Sequence, residues 1–340
     1  MGPLFTIGIA SYNYAKYIGK GLEAIKNQTF TDYEIVISDD ASTDNSVEVI
    51  NEFIAKNPQL DITFIKKEKN EGLVANKNTI IDHANGQYLL LCDADDWMDL
   101  NCLEKIAQTI NDEKPDRVIV NIAHIDDQGK IIQVEDIPNK QTKWGWSVHH
   151  GSAYKVDILR AHNVKIIGEP DDVYFTLEFT KYVTKISYIR ETLYYWLVHT
   201  DSEGRKKREI TAKYFNDFYI KELDYISEVL QYLKQNNYTN RDVEELRYAF
   251  LKWYYFDILF GFQSLCLRDK LKYYNRMNRK MLELDSKYLE NQFTQKGSDE
   301  ILRPYATKAI NLCVILEKYH LMKIALIFYH MVSRFKYFDQ

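Results

Sequence analysis

Three carboxylates follow one apolar run. Asp93, Asp95 and Asp96 come directly after Tyr88-Leu89-Leu90-Leu91-Cys92. Crowding acids in this way is costly unless a cation or a binding role compensates. The Asp-x-Asp spacing suits a divalent metal that grips a diphosphate; an acidic surface turn is the alternative the motif alone leaves open. Two further acidic pairs raise the same question. Asp39-Asp40 ends the run Tyr33-Glu34-Ile35-Val36-Ile37-Ser38. Asp171-Asp172 opens a stretch in which Val173, Phe175, Leu177 and Phe179 are apolar. Acids at a helix start are favoured by the helix dipole in any protein. In an enzyme, such a carboxylate can also take a proton from an attacking hydroxyl.

The elements that must position these acids are legible as alternating strands and helices. Residues 4–10 read as a first buried strand. Asn13 is the expected N-cap of a helix over residues 14–28, where Tyr17, Ile18, Leu22 and Ile25 recur at helical spacing. A second strand covers 33–38, a helix runs on to about 56, a third strand covers 62–66, and a helix covers about 74–84. Asn85-Gly86 then turns into the central strand. Such alternation implies an α/β fold, with a mainly parallel sheet flanked by helices. Ligands on such sheets sit at the carboxyl ends of the strands, where Tyr12, Asp39-Asp40 and Asp93/Asp95 all fall. No GxGxxG follows the first strand and no GxxxxGK[ST] occurs. Phosphate must therefore be met by something other than a glycine-rich loop, and a carboxylate-held metal is the natural substitute.

Three ordered segments carry a family resemblance: Thr6-Ile7-Gly8-Ile9-Ala10-Ser11-Tyr12-Asn13, the run from Glu34 to Asp44, and Gly86-Gln87-Tyr88 through Asp96. Over residues 4–100, and more loosely to about 203, the chain resembles the family 2 glycosyltransferases of GT-A, Rossmann-like fold. The resemblance implies inverting transfer from a nucleotide-diphosphate sugar, usually a UDP-sugar. It implies that Ala10 and Tyr12 line the uracil pocket, that Asp40 accepts the uracil N3–H, that Asp93 holds the ribose with Ala94 beside it, and that Asp95 binds the Mn²⁺ or Mg²⁺ bridging the phosphates. It implies Asp172 as general base, with Asp171 as its partner, and His199 as a further metal ligand; a polar loop histidine is the alternative. Ala10 stands where the family often has Pro or Thr. Lys77 stands where it often has Arg. Lys can offset diphosphate charge but not as a bidentate fork, and a solvated helix residue is the other reading.

Further along, a helix is expected over 103–114, a strand over 117–122, and a hairpin turn at Asp126-Asp127-Gln128-Gly129-Lys130 with a return strand to 134. The Asp126-Asp127 pair is therefore turn chemistry. The aromatic, glycine-containing stretch 144–151 would suit acceptor binding if exposed, or a packed loop. A last strand covers 187–197. Residues 203–208 are basic and could be a lid over the diphosphate or a linker. From about 209 onward Gly and Pro nearly vanish and apolar residues recur at helical spacing. This predicts four to six packed helices. The division expected is a catalytic domain over 1–205 and an all-helical domain over 206–340.

The chain has 340 residues, 46% hydrophobic and 27% charged, so it is globular. A net charge of −5 gives no nucleic-acid footprint. Four cysteines without a CxxC argue against a zinc site or a disulfide framework and fit a reducing compartment. The apolar stretch over 4–10 is too short for a signal peptide, and no run of about 20 apolar residues could span a bilayer. A cytoplasmic enzyme is expected, with peripheral membrane contact or a homodimer through the basic, amphipathic C-terminal helices as alternatives to a plain core role. The expected acceptor is a surface polysaccharide, a lipid-linked oligosaccharide or a glycoprotein glycan. The rivals are an inactive nucleotide-sugar-binding scaffold and a nucleotidyltransferase.

Overall fold

The computed structural model describes residues 2–135, 143–144, 149–168, 171–199, 212–256, 258–259, 265–291, 293 and 304–335. The chain forms two compact units, one of Met1–Ile137 with Ser147–Lys206, the other of Pro138–Trp146 with Lys207–Gln340.

In the first unit, β1 (Phe5–Ser11), β2 (Tyr33–Asp39), β3 (Ile62–Lys66) and β4 (Tyr88–Asp93) alternate with α1 (Ile18–Lys26), α2 (Ser46–Lys56) and α3 (Leu73–His83). β1 and β2 are buried along their whole length, as strands covered on both faces must be. The neighbours β3-β2-β1-β4 are parallel. Beyond β4 the sheet turns mixed. The chain continues through β5 (Trp97–Met98), α4 (Cys102–Glu113), β6 (Arg117–Ile125), β7 (Ile131–Glu135), β8 (Ser152–Lys155), α5 (Val156–Ala161), α6 (Asp171–Thr180) and β9 (Ile186–Leu197). β8 inserts antiparallel between β4 and β6, β9 runs parallel to β6, and β5 pairs antiparallel with β9. β5 and β8 have two and four residues, too few to carry a periodic signal.

Two local features hold the functional edge in place. Gly21 lets α1 approach the turn after β4, because a Cβ there would lie 2.9 Å from the Asp96 carbonyl oxygen. Asn13 does not cap α1, which begins at Ile18 after Tyr17. Instead Asn13 takes a left-handed conformation, φ 60°, and its Oδ1 accepts from the Thr43 N–H at 2.8 Å. Asn tolerates that conformation better than most residues, and here it stitches the loop after β1 to the loop after β2. At the opposite end of the strands, buried Glu34 accepts from Thr6 Oγ1 at 2.6 Å and from the Asn85 N–H at 2.6 Å, tying β1, β2 and the start of β4 together.

The second unit contains α7 (Ala212–Phe215), a π-helical stretch Asn216–Ile220, α8 (Lys221–Gln235), α9 (Asn240–Phe256), α10 (Leu267–Leu284), α11 (Pro304–Lys318) and α12 (Met322–Phe335). Ile226, Val229, Leu233, Leu246, Met281 and Leu326 form its buried interior. The tyrosines at helical spacing are core: Tyr225, Tyr248, Tyr254 and Tyr273 are buried. Buried Glu317 accepts from Tyr274 Oη at 2.7 Å and Asn278 Nδ2 at 2.6 Å. Burial still pushes its carboxyl above the usual range against those bonds.

Candidate active site at the carboxyl edge of the sheet

Register puts the first set of polar groups on one edge. Ala10 of β1 lies opposite Ser38 on one side and Asp93 on the other. Tyr12, Asp39-Asp40 and Asp93 to Asp95 are therefore neighbours at the ends of three adjacent strands. Tyr12 is exposed, whereas Ala10 and Ala94 are buried. The buried Asp40 carboxylate accepts from the Glu71 N–H at 3.1 Å and the Gly72 N–H at 2.7 Å, and pairs with Lys67 Nζ at 3.2 Å. The Glu71 N–H reaches both oxygens, so the three donors meet all of the about four acceptor positions that a carboxylate offers. Asn76 of α3 donates to the Ser11 and Ser38 carbonyls and ties that helix to both strand ends.

Oxygens of Asp93, Asp95 and Asp96 lie within 4.8 Å of one another, but the three side chains have different surroundings. Asp96 is structural: it accepts from Tyr194 Oη at 2.8 Å and from the Leu197 N–H at 3.0 Å, fastening the turn to β9. Burial, then the charges of Asp95 and Asp93, hold its carboxyl well above the usual range. Asp95 Oδ2 is 2.7 Å from His199 Nε2, and the His199 ring lies 4.4 Å from that of Tyr17. Burial and the neighbouring Asp93 raise the Asp95 carboxyl, and His199 opposes them. The other ring nitrogen of His199, Nδ1, is buried with no hydrogen-bond partner among the described residues.

Asp93 connects this group to the acids of α6. Burial works against its charge, yet Lys77 and His150 overcome that and hold Asp93 well below the usual range. Lys77 is not a solvated helix residue. It is buried, with Nζ 2.8 Å from Asp171 Oδ2, 3.1 Å from Asp93 Oδ1 and 3.0 Å from His149 Nε2. Burial would lower its pKa, but Asp171 and Asp93 raise it instead. The ammonium's three N–H donors are all engaged, so none is left over for a diphosphate in this state. His149 Nδ1 contacts Asp172 Oδ1. His150 Nε2 is 2.8 Å from Asp93 Oδ2, its Nδ1 is 4.0 Å from Asp172 Oδ1, and its ring stacks on Trp196 at 5.0 Å. Asp172 thus stands at the same edge as Asp93 and Asp95, although it is far from them in the chain.

The described residues of the stretch 144–151 are packed rather than exposed. Trp144, His149 and His150 are all buried, so no acceptor-stacking surface stands on those side chains. The two histidines belong to the acid cluster instead, a placement that sequence reasoning missed; the adjacent imidazoles were its one available signal. Residues 145–148, 169–170 and 203–208, the basic segment included, lie outside the described residues.

Residues 6–158 match the model of the family described as glycosyl transferase family 2. The putative glycosyltransferase EpsH of Bacillus subtilis (strain 168) is 26% identical over 222 residues, 59% of this chain and 62% of EpsH. The hyaluronan synthase of Pasteurella multocida is 26% identical over 259 residues, 74% of this chain and 26% of the synthase. The chain spans less than two thirds of either relative. The crystal structure of S. aureus TarS 1–349 in complex with UDP-GlcNAc superposes with a TM-score of 0.72 at 16% identity, covering 94% of this chain and 92% of that one. A likeness at that identity shows the fold: a GT-A α/β sheet with flanking helices, followed by a helical C-terminal region.

Proposed function

From the match of residues 6–158 to glycosyl transferase family 2 we propose that the chain acts as a transferase of that family and moves a hexose from a UDP-sugar to an acceptor hydroxyl with inversion. The observation that supports this most is the bridge through Lys77 and His149, which brings Asp172 to the edge bearing Asp93 and Asp95. In the proposed reaction the acceptor oxygen attacks the anomeric carbon as Asp172 takes its proton, and the bond from that carbon to the nucleoside diphosphate breaks. Tyr12 stacks on the uracil beside Ala10, and Asp40 accepts the N3–H in place of one half of its shared contact with the Glu71 N–H. Asp93 and the Asp93-Ala94 backbone face the ribose. Lys77 contributes fixed positive charge near the phosphates rather than a direct bond.

The residues present fit a divalent cation. Asp95 and His199 supply a carboxylate and an imidazole, a donor pair suited to Mn²⁺ and also usable by Mg²⁺. The buried Nδ1 of His199 has no hydrogen-bond partner among the described residues, which leaves the ring a nitrogen that protein groups do not satisfy there. Bound there, the ion would offset charge on the leaving diphosphate. A hydrolysis screen over UDP-, GDP- and dTDP-sugars with Mn²⁺ tests the donor assignment. The expected result is turnover of one UDP-sugar that EDTA abolishes. No turnover of any UDP-sugar would favour the inactive scaffold, and release of pyrophosphate when UTP and a sugar 1-phosphate are supplied instead would favour the nucleotidyltransferase.

A surface polysaccharide or lipid-linked oligosaccharide is the acceptor class we favour, on a feature of the helical unit. Leu312, Ile315 and Tyr319 of α11 and Ile324, Phe328 and Met331 of α12 are all exposed. Lys308, Lys318 and Lys323 are exposed around them, and the one acid between 304 and 335, Glu317, is buried. A second copy docked on the same face would set lysines against lysines, whereas anionic headgroups complement them. We therefore assign this face to an anionic membrane surface. Among the described residues no helix is long and apolar enough to cross a membrane. The protein should float with phosphatidylglycerol vesicles and much less with phosphatidylcholine ones, and the double change Ile324→Asp, Phe328→Asp should abolish flotation. A dimer that this double change dissociates, with no vesicle binding, would overturn the assignment.

A further inference from the structure

We infer that His149 is a positioning residue for Asp172: its Nδ1–H holds one carboxylate oxygen of the base, leaving the other free to face the acceptor hydroxyl. The inference rests on the transfer reaction proposed above and adds a residue to it. Its basis is which atoms can donate. A lysine ammonium has three donors and no acceptor. Lys77 Nζ lies 3.0 Å from His149 Nε2, so that nitrogen must accept. A neutral imidazole that accepts at Nε2 carries its proton on Nδ1. Nδ1 is the atom that meets Asp172 Oδ1.

His149 is held neutral by its surroundings. Burial, then the charges of Lys77 and His150, keep its pKa well below the ordinary histidine value. The ring has little freedom to turn. It is buried, and it lies against the His150 ring at 4.1 Å between centroids. Lys77, which sets the tautomer, is itself fixed by Asp171 from α6 and Asp93 from β4. The proton's position on His149 is thus decided by a cation on α3 and two carboxylates on other elements. Orienting a catalytic group before the acceptor arrives removes part of the entropic barrier, and misplacement by about 1 Å costs on the order of 10²-fold in rate.

Two substitutions separate the halves of this arrangement. His149→Asn keeps an N–H near the Nδ1 position and loses the contact with Lys77. His149→Gln keeps an acceptor near the Nε2 position and loses the N–H toward Asp172. The expected result is kcat within about tenfold of wild type for Asn but down on the order of 10²-fold for Gln, with the donor KM little changed in both. Equal losses, or a Gln variant at least as active as the Asn variant, would overturn the inference. A second measurement does not depend on turnover. In ¹⁵N-histidine-labelled protein, His149 should show the Nδ1–H tautomer, and its resonance should move in Asp172→Asn. The Nε2–H tautomer, or no movement, would refute the contact whatever the kinetics. An absence of UDP-sugar turnover in the wild type would instead strike the transfer reading, and the spectrum would still decide the tautomer.

Discussion

Asp172→Asn should lower the rate of transfer by about 10³-fold, within the range that a general base contributes, while UDP binds in the presence of Mn²⁺ as tightly as to the wild type. The amide has the same shape as the carboxylate but cannot accept a proton at neutral pH. Its Oδ1 can still meet His149 Nδ1 and accept the hydrogen bond inferred above, so the local arrangement should survive. Donor contacts are assigned to other strands: Tyr12 after β1, Asp40 after β2, Asp93 and Asp95 at the end of β4. Lys77 keeps Asp171 and Asp93 as its counter-charges, so the hub that joins α3, β4 and α6 does not depend on Asp172. Steady-state kinetics beside calorimetry of UDP with Mn²⁺ makes the separation. Turnover unchanged from wild type would remove Asp172 from its role. Loss of UDP binding would show that its charge serves the donor and not the acceptor.

The parallel half of the sheet was readable because β1, β2 and β4 are buried runs bounded by turn residues, and the acids at their ends follow from where each run stops. Much of the candidate site was readable for the same reason. The rest was hidden by physical causes specific to this edge. α3 buries Asn76 and Lys77 together with Ile80 and Ile81, so its buried face is partly polar. A pattern rule that sends lysine to solvent fails there, because the polar ends of β1, β2 and β4 lie beneath the helix. His149 and His150 sit just before a four-residue strand that slots between β4 and β6. No local periodicity announces that insertion, so their meeting with Asp93 and Asp172 is visible only in three dimensions. Asn13 looked like a cap by type, but its partner is a loop 30 residues away. Departures of local rule from global structure gather at the edge assigned to chemistry, where competing demands on side chains are strongest.

The sharpest test of the metal assignment is Asp95→Ala, for which UDP affinity in Mn²⁺ should fall by roughly 10²- to 10³-fold, the equivalent of several kcal/mol of lost charge stabilisation. Asp95 is buried beside Asp93, and its carboxyl is raised by burial and by that neighbour. Such a group holds its negative charge under protest, and a bound cation is what would relieve it. The change to Ala removes one oxygen ligand and leaves His199 Nε2 without its 2.7 Å partner. Asp96 is a poorer substitute, because its oxygens already accept from Tyr194 and the Leu197 N–H and its carboxyl is held well above the usual range by burial and its acidic neighbours. The decisive comparison is therefore wild type and variant, each titrated with UDP in Mn²⁺ and in EDTA. In the wild type EDTA should weaken binding strongly. In Asp95→Ala it should change little, since the metal-dependent part is already gone, while the Tyr12 and Asp40 contacts retain a weak residual affinity. Equal affinities of wild type and variant in Mn²⁺ would exclude Asp95 as the ligand, and a variant that still responds to EDTA would move the ion to other residues of the cluster.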